Sequence, residues 1–138
     1  MALKTVRQST TYIIGTDTVP VTLTTAYSGN QISFPVPGYD YAVIYASYVP
    51  GANGNTCSIQ VEGSPDDTNY YPKTTLLDSD TGTSTLLDHI GQIPGASTAV
   101  TYKKRWIIPI DDRYVRISAK EDNAAGGTLT IQMLIRIK

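Results

Sequence analysis

The sequence predicts an all-β fold: a single-domain antiparallel β-sandwich, jelly-roll-like, of about seven to nine strands. Three observations carry this. Apolar and polar residues alternate with period two along most of the chain. Clusters of Gly, Pro, Asn and Asp interrupt the alternation at spacings of roughly 8–15 residues. No segment of ten or more residues has convincing helical periodicity.

The elements follow in order. Residues 1–15 are polar and Thr-rich, and read as an N-terminal arm or an edge strand; residues 16–138 form the sandwich. Val19, Val21 and Leu23 alternate with Pro20, Thr22 and Thr24. After "YSGN", Ile32, Phe34 and Val36 alternate with Gln31, Ser33 and Pro35. "YDYAVIYASYV" (39–49) is apolar on both faces, which predicts a central or covered strand. "PGANGN" then predicts a tight turn, with the Asn53–Gly54 pair supplying positive φ angles. Cys57, Ile59 and Val61 alternate with Ser58, Gln60 and Glu62 before "GSPDDT" turns the chain. Strands are expected within 69–77 and 98–110. "TSTLLDHIGQI" (83–93) predicts a short helix capped by Thr83 or Ser84 and stopped by Gly91. "RYVRISAK" places Val115, Ile117 and Ala119 on one side. Leu129, Ile131, Met133, Ile135 and Ile137 share one face of the last strand, with Leu134 out of phase. "EDNAAGG" joins these two strands as a predicted hairpin.

A chain of 138 residues is long enough to bury roughly two-thirds of its unfolded surface without staples. Eleven basic and twelve acidic residues give a net charge of −1. This supplies no basic footprint for nucleic acid. Ten tyrosines against one Phe and one Trp suit half-buried strand faces and protein interfaces alike. The single Cys57 excludes an intramolecular disulfide, and folding in a reducing cytoplasm is the simpler expectation. The N-terminus lacks the apolar stretch of a secretory signal, and no apolar run reaches transmembrane length, so no membrane partner is expected.

The inventory for catalysis is thin. His89 is the only imidazole, beside Asp88 in "LLDHIG". Cys57 occupies the apolar phase of its strand and reads as an inert thiol. GxSxG, phosphate-loop and paired-cysteine zinc motifs are missing. The expectation is a non-enzymatic protein with no cofactor. "DSDTG" (78–82) opens like a calcium loop, but Gly82 stands where a ligand belongs and no closing carboxylate follows. Asp66–Asp67 and Asp111–Asp112 are explained by turn formation, so no metal is expected.

Three groups are candidate contacts: the arm with Lys4 and Arg7, the tip with Asp66, Asp67, Asn69, Tyr70 and Tyr71, and the basic run Lys103, Lys104, Arg105 and Trp106. In the last, aromatics beside cations would suit RNA. On a nearly neutral chain a solvated strand face fits better, with Trp106 packed in or beside the core. An intersubunit contact of Arg105 with a partner carboxylate is the alternative.

"VEGSPDDTNYYP" (61–72) resembles a hairpin common in small β-sandwich modules, among them discoidin-like binding domains and structural proteins of tailed phages. "DDRYVRISAKEDNAAGGTLTIQMLIRIK" (111–138) looks like the ending of such phage virion domains. Discoidin-like lectins have disulfide-linked ends that one Cys cannot provide, so the virion resemblance is the better fit. It implies a capsid decoration or head/tail accessory subunit, assembled in the host cytoplasm and bound to a major capsid or tail protein. It also implies a homo-oligomer, a trimer being one form. The alternative is a carbohydrate-binding module using Asp66, Asn69, Tyr70 and Tyr71.

Overall fold

Two antiparallel sheets face each other across an apolar core in the computed structural model, which describes residues 11–16, 18–36, 38–72, 76–78, 85–87 and 90–136. In chain order the elements are β1 (Thr11–Ile14), β2 (Val21–Thr22), a 3-10 turn (Tyr27–Gly29), β3 (Gln31–Pro35), β4 (Tyr41–Val49) and β5 (Asn55–Ser64). There follow β6 (Tyr71–Pro72), β7 (Leu76–Asp78), β8 (Thr85–Leu87), β9 (Ile90–Gly95), β10 (Tyr102–Pro109), β11 (Tyr114–Glu121) and β12 (Thr128–Arg136). Eight of these are four residues or longer, as expected; β2, β6, β7 and β8 are shorter additions.

The seven-stranded sheet has the order β1-β12-β4-β10-β7-β8, with β2 beside β1 on β12. The five-stranded sheet has the order β3-β11-β5-β6, with β9 also on β5. Numbering the eight long strands from first to eighth, the sheets read 1-8-3-6 and 2-7-4-5, the wrapping of a jelly roll.

That wrapping corrects the predicted hairpin. β11 belongs to the five-stranded sheet, where it pairs with β3 and β5, and β12 belongs to the other, where it pairs with β4. Residues 122–127 therefore cross the end of the sandwich rather than closing a two-strand ladder. "PGANGN" likewise passes from β4 to β5 across the same end, and of the Asn53–Gly54 pair only Gly54 takes a positive φ, 79°. The predicted helix over 83–93 is also corrected. Residues 85–87 are β8, and 90–95 are β9, paired in register with Asn55–Gln60. Gly91 packs on the Trp106 ring, where an added Cβ would lie 2.8 Å from ring carbons. Sheet pairing thus satisfies the backbone of a stretch whose Gly and Pro make a poor helix.

The core draws on the predicted phases. Ala42, Ile44, Ala46 and Tyr48 of β4 meet Cys57, Ile59 and Val61 of β5 and Val115, Ile117 and Ala119 of β11. Leu129, Ile131 and Met133 continue the layer, with Ile135 packed against it. Each fully buried aliphatic side chain contributes about 1.5–3 kcal/mol. β4 is flanked by β12 and β10, which explains why it is apolar on both faces. Leu134, out of phase, is opposite Val43, and Val43 is opposite Ile107, so one short outer stripe of this sheet is apolar as well. Cys57 is fully buried, and burial pushes its thiol up, with Glu121 and Asp122 adding to the shift; it is not a thiolate at neutral pH.

Glu121, which the sequence predicts to open a loop, ends β11 in the inward phase, two residues past Ala119, and is 0% exposed. Its Oε2 accepts hydrogen bonds from the Tyr48 hydroxyl (2.6 Å), Asn55 Nδ2 (2.8 Å) and the Gly51 N–H (3.0 Å), and its Oε1 accepts from the Gly127 N–H. Asn55 is satisfied in turn: Nδ2 also donates to the Ala124 carbonyl, and Oδ1 accepts from the N–H groups of Thr56 and Asn123. Burial and then the bond to Glu121 push the Tyr48 hydroxyl far above the usual tyrosine range, so it remains a donor. A Cβ on Gly127 would lie 2.5 Å from Glu121 Oε2, so a side chain there would displace the carboxylate.

Glu121→Gln keeps the shape but turns an amide NH2 toward one of these donors. We expect a loss of about 1–3 kcal/mol in denaturant unfolding, the cost of a buried donor left unsatisfied. Tyr48→Phe, which removes one donor, should cost about 1–2 kcal/mol. A midpoint unchanged in both variants would show that the network does not hold the loops.

Candidate functional site

Two exposed regions stand out, one on each sheet. The first is the tip between β5 and β6. Asp66 organises it: Oδ1 accepts from Ser64 Oγ (3.1 Å) and from the N–H groups of Thr68 (3.0 Å) and Asn69 (2.8 Å), and Oδ2 accepts from Asn69 Nδ2 (2.8 Å). A carboxylate with so many donors holds its charge, and these bonds, the Asn69 N–H first, depress its carboxyl far below the usual carboxylate range. Asp67 takes the left-handed φ of 60° that Asp tolerates in turns, and its Oδ1 accepts a hydrogen bond from the Tyr70 hydroxyl.

Tyr70 is also covered from the sheet. The Arg116 guanidinium carbon lies 4.0 Å from the Tyr70 ring centroid, and Arg116 Nε and Nη2 donate to Glu62 Oε1 at 3.0 and 2.9 Å. Arg116 and Glu62 are direct cross-strand partners on β11 and β5. Of the predicted tip residues, Asp66, Asp67, Asn69 and Tyr70 therefore bond mainly to one another and to this pair. Tyr71, 62% exposed, is the one large apolar surface the tip presents.

The second region is the outer face of the seven-stranded sheet. Lys103 and Arg105 project from β10 on this side, and Trp106, in the opposite phase, is 1% exposed in the core. Lys104 also falls in the inward phase, opposite Ala46. The basic run is thus split by the pleat, and Trp106 is part of the core rather than a contact residue. Lys103 lies across from Ser47 and Arg105 from Tyr45, and β12 adds Thr130 and Gln132 in register. These residues line two adjoining hollows of about 260 and 270 Å3 that share Ser47 and Lys103. The Arg105 guanidinium carbon is 5.8 Å from the Tyr45 ring centroid, within cation–π range.

The tip and the trough lie on different sheets and form no common site. Lys4, Arg7, His89 and Asp80 lie outside the described residues. Among the described residues, no three His, Cys, Asp or Glu side chains gather where they could hold a metal ion. Sequence reading missed Glu62 and Arg116 as supports of the tip, and Tyr45, Ser47, Thr130 and Gln132 as the floor of the trough. All stand in the polar phases of recognised strands or in a strand read as apolar on both faces. Only the register between strands distant in sequence reveals that they meet.

No protein-family model matches the chain, and no curated protein matches it in sequence. Among solved structures, it is similar to the SPBc2 prophage-derived protein YomS, with a TM-score of 0.55 and 10% identity over 98% of both chains. At that identity the likeness is one of fold, and it extends along the whole wrapping.

In an NMR titration, Asp66 should remain ionised while ordinary carboxylates protonate near pH 4. Its pKa is depressed by folding, so its stabilisation of the tip is present above the unfolded value and is lost as pH falls through the folded one. Asp66→Ala should accelerate amide exchange at Thr68 and Asn69 and leave core amides unchanged. An ordinary Asp66 titration would contradict the hydrogen-bonding pattern.

Proposed function

We propose that the chain is a non-enzymatic structural subunit of a phage particle, a capsid decoration or head/tail accessory protein that binds neighbouring virion proteins. The observation that supports this most is the jelly-roll fold matched over 98% of both chains to a prophage-derived protein. The molecule's own chemistry is compatible with the reading. A rigid tip with one exposed ring and a polar sheet face are surfaces for contact, and many copies on one particle would add weak contacts into firm attachment. In this reading the chain is a homo-oligomer that assembles in the host cytoplasm and contacts a major capsid or tail protein, without nucleic acid or membrane.

The carbohydrate alternative has less to work with at the tip. The Tyr70 ring is covered by Arg116 and the oxygens of Asp66 are engaged within the turn, which leaves Tyr71 as the single platform for a sugar.

Purified particles analysed by mass spectrometry should contain the chain in a fixed ratio to the major capsid or tail protein. Tyr71→Ala should fold normally, because the side chain is exposed, and should lower occupancy on the particle. Particles that lack the chain altogether would refute the virion reading. Retention on a glycan array that is lost in Tyr71→Ala would instead support the carbohydrate alternative.

A further inference from the structure

The five-stranded sheet ends on β3, whose five residues, Gln31–Pro35, run in unbroken register with β11. The hydrogen bonds just beyond its two ends fix where each backbone group points. The Ala119 N–H donates to the Asn30 carbonyl and the Val36 N–H donates to the Arg113 carbonyl, and both couples continue the β3–β11 register by one residue. Bonded pairs alternate along an antiparallel ladder, so Ile32 and Phe34 are the β3 residues that bond to β11. Gln31, Ser33 and Pro35 turn their backbone groups the other way, to the edge where no described strand lies. All three are exposed. The donors on this edge are the N–H groups of Gln31 and Ser33, because Pro35 has none. On the inward face, Ile32 and Phe34 pack on the core and are only partly buried. β3 carries no charged residue, the common guard of an open edge; its one guard is Pro35, at the last position.

We propose that this edge pairs with the same edge of a second copy, antiparallel about a two-fold axis through Ser33, so that the two five-stranded sheets become one. Self-complementarity carries the assignment. Where the two strands overlap along their full length, Ser33 faces its counterpart and the two exchange N–H to carbonyl bonds. Each Gln31 N–H meets the Pro35 carbonyl of the other copy. Every donor on the edge is then used, and Pro35 sits at the end of the ladder, where its missing N–H interrupts nothing. The same register sets Ile32 opposite Phe34 of the other copy in the non-hydrogen-bonded pairs, where side chains approach most closely. Both half-covered apolar side chains are thereby buried. The contact is isologous and closes as a dimer. This deepens the reading of the chain as a self-associating subunit and rests on it.

The test is the mass of the full chain by light scattering across a concentration series, with amide exchange followed by NMR at both ends of the series. Wild type should pass from monomer to dimer, with little dependence on salt, since the contact uses no charged side chain. The Gln31 and Ser33 amides should lose their fast exchange as the dimer forms. Ser33→Pro removes the central donor and no bond to β11, so it should keep the wild-type unfolding midpoint and remain a monomer. Ser33→Cys places thiols on residues whose Cα atoms lie about 5.5 Å apart across the axis, within disulfide range. It should cross-link to a dimer under mild oxidation, whereas Thr68→Cys at the exposed tip should not. This second variant decides the matter if Ser33→Pro fails to fold. A wild type that stays monomeric, a Ser33→Pro that dimerises like wild type, or a Ser33→Cys that cross-links no faster than Thr68→Cys would overturn the proposal. So would a monomeric wild type whose Ser33→Cys variant cross-links to a different virion protein, which would make β3 a docking strand for that partner. None of these results removes the chain from purified particles, so the virion reading is judged separately by its presence there.

Discussion

A single buried carboxylate ties together the end of the sandwich where the chain crosses between sheets. Glu121 accepts from β4 through Tyr48, from the start of β5 through Asn55, and from the two crossing loops through Gly51 and Gly127. A polar group in an apolar core is costly unless it meets hydrogen-bond partners. Here four donors from four segments converge, so the cost is offset only when all four are in place. This is a geometric condition on the fold as much as a source of stability. The loops between β4 and β5 and between β11 and β12 are both tied to this one carboxyl group.

The opposite end is organised by a smaller version of the same chemistry. Asp66 collects donors from its own turn, and Arg116, held by Glu62, closes over Tyr70. The two carboxylates differ in consequence because they differ in exposure. Glu121 is sealed and constrains the core, whereas Asp66 is in water and shapes a surface. A stiff acidic projection at one end and a cationic trough on the other sheet give the molecule a polarity that its near-zero net charge conceals.

Much of the layout was legible in the sequence because a strand with one buried face writes itself as period two. The phases of β5, β11 and β12 were read residue by residue, and Cys57 and Trp106 were placed in or beside the core. The errors share one cause. Residues 121–127 predict a hairpin loop because an Asn- and Gly-rich loop between two alternating strands looks the same whether it turns within a sheet or crosses to another. Residues 90–93 fall within the predicted helix because local pattern contains no sign of the β5 edge that pairs with them.

The sequence by itself determined the fold class, the inward face of most strands, and the Asp-led turn at the tip, because each depends on residues a few positions apart. Only the tertiary structure decided the jelly-roll order, the burial of Glu121 among donors as far as 73 residues away, and the assembly of Tyr45, Ser47, Lys103, Arg105, Thr130 and Gln132 into one trough. Those features arise from register between strands distant in the chain. Period two fixes which face a residue takes and leaves open which neighbour it meets.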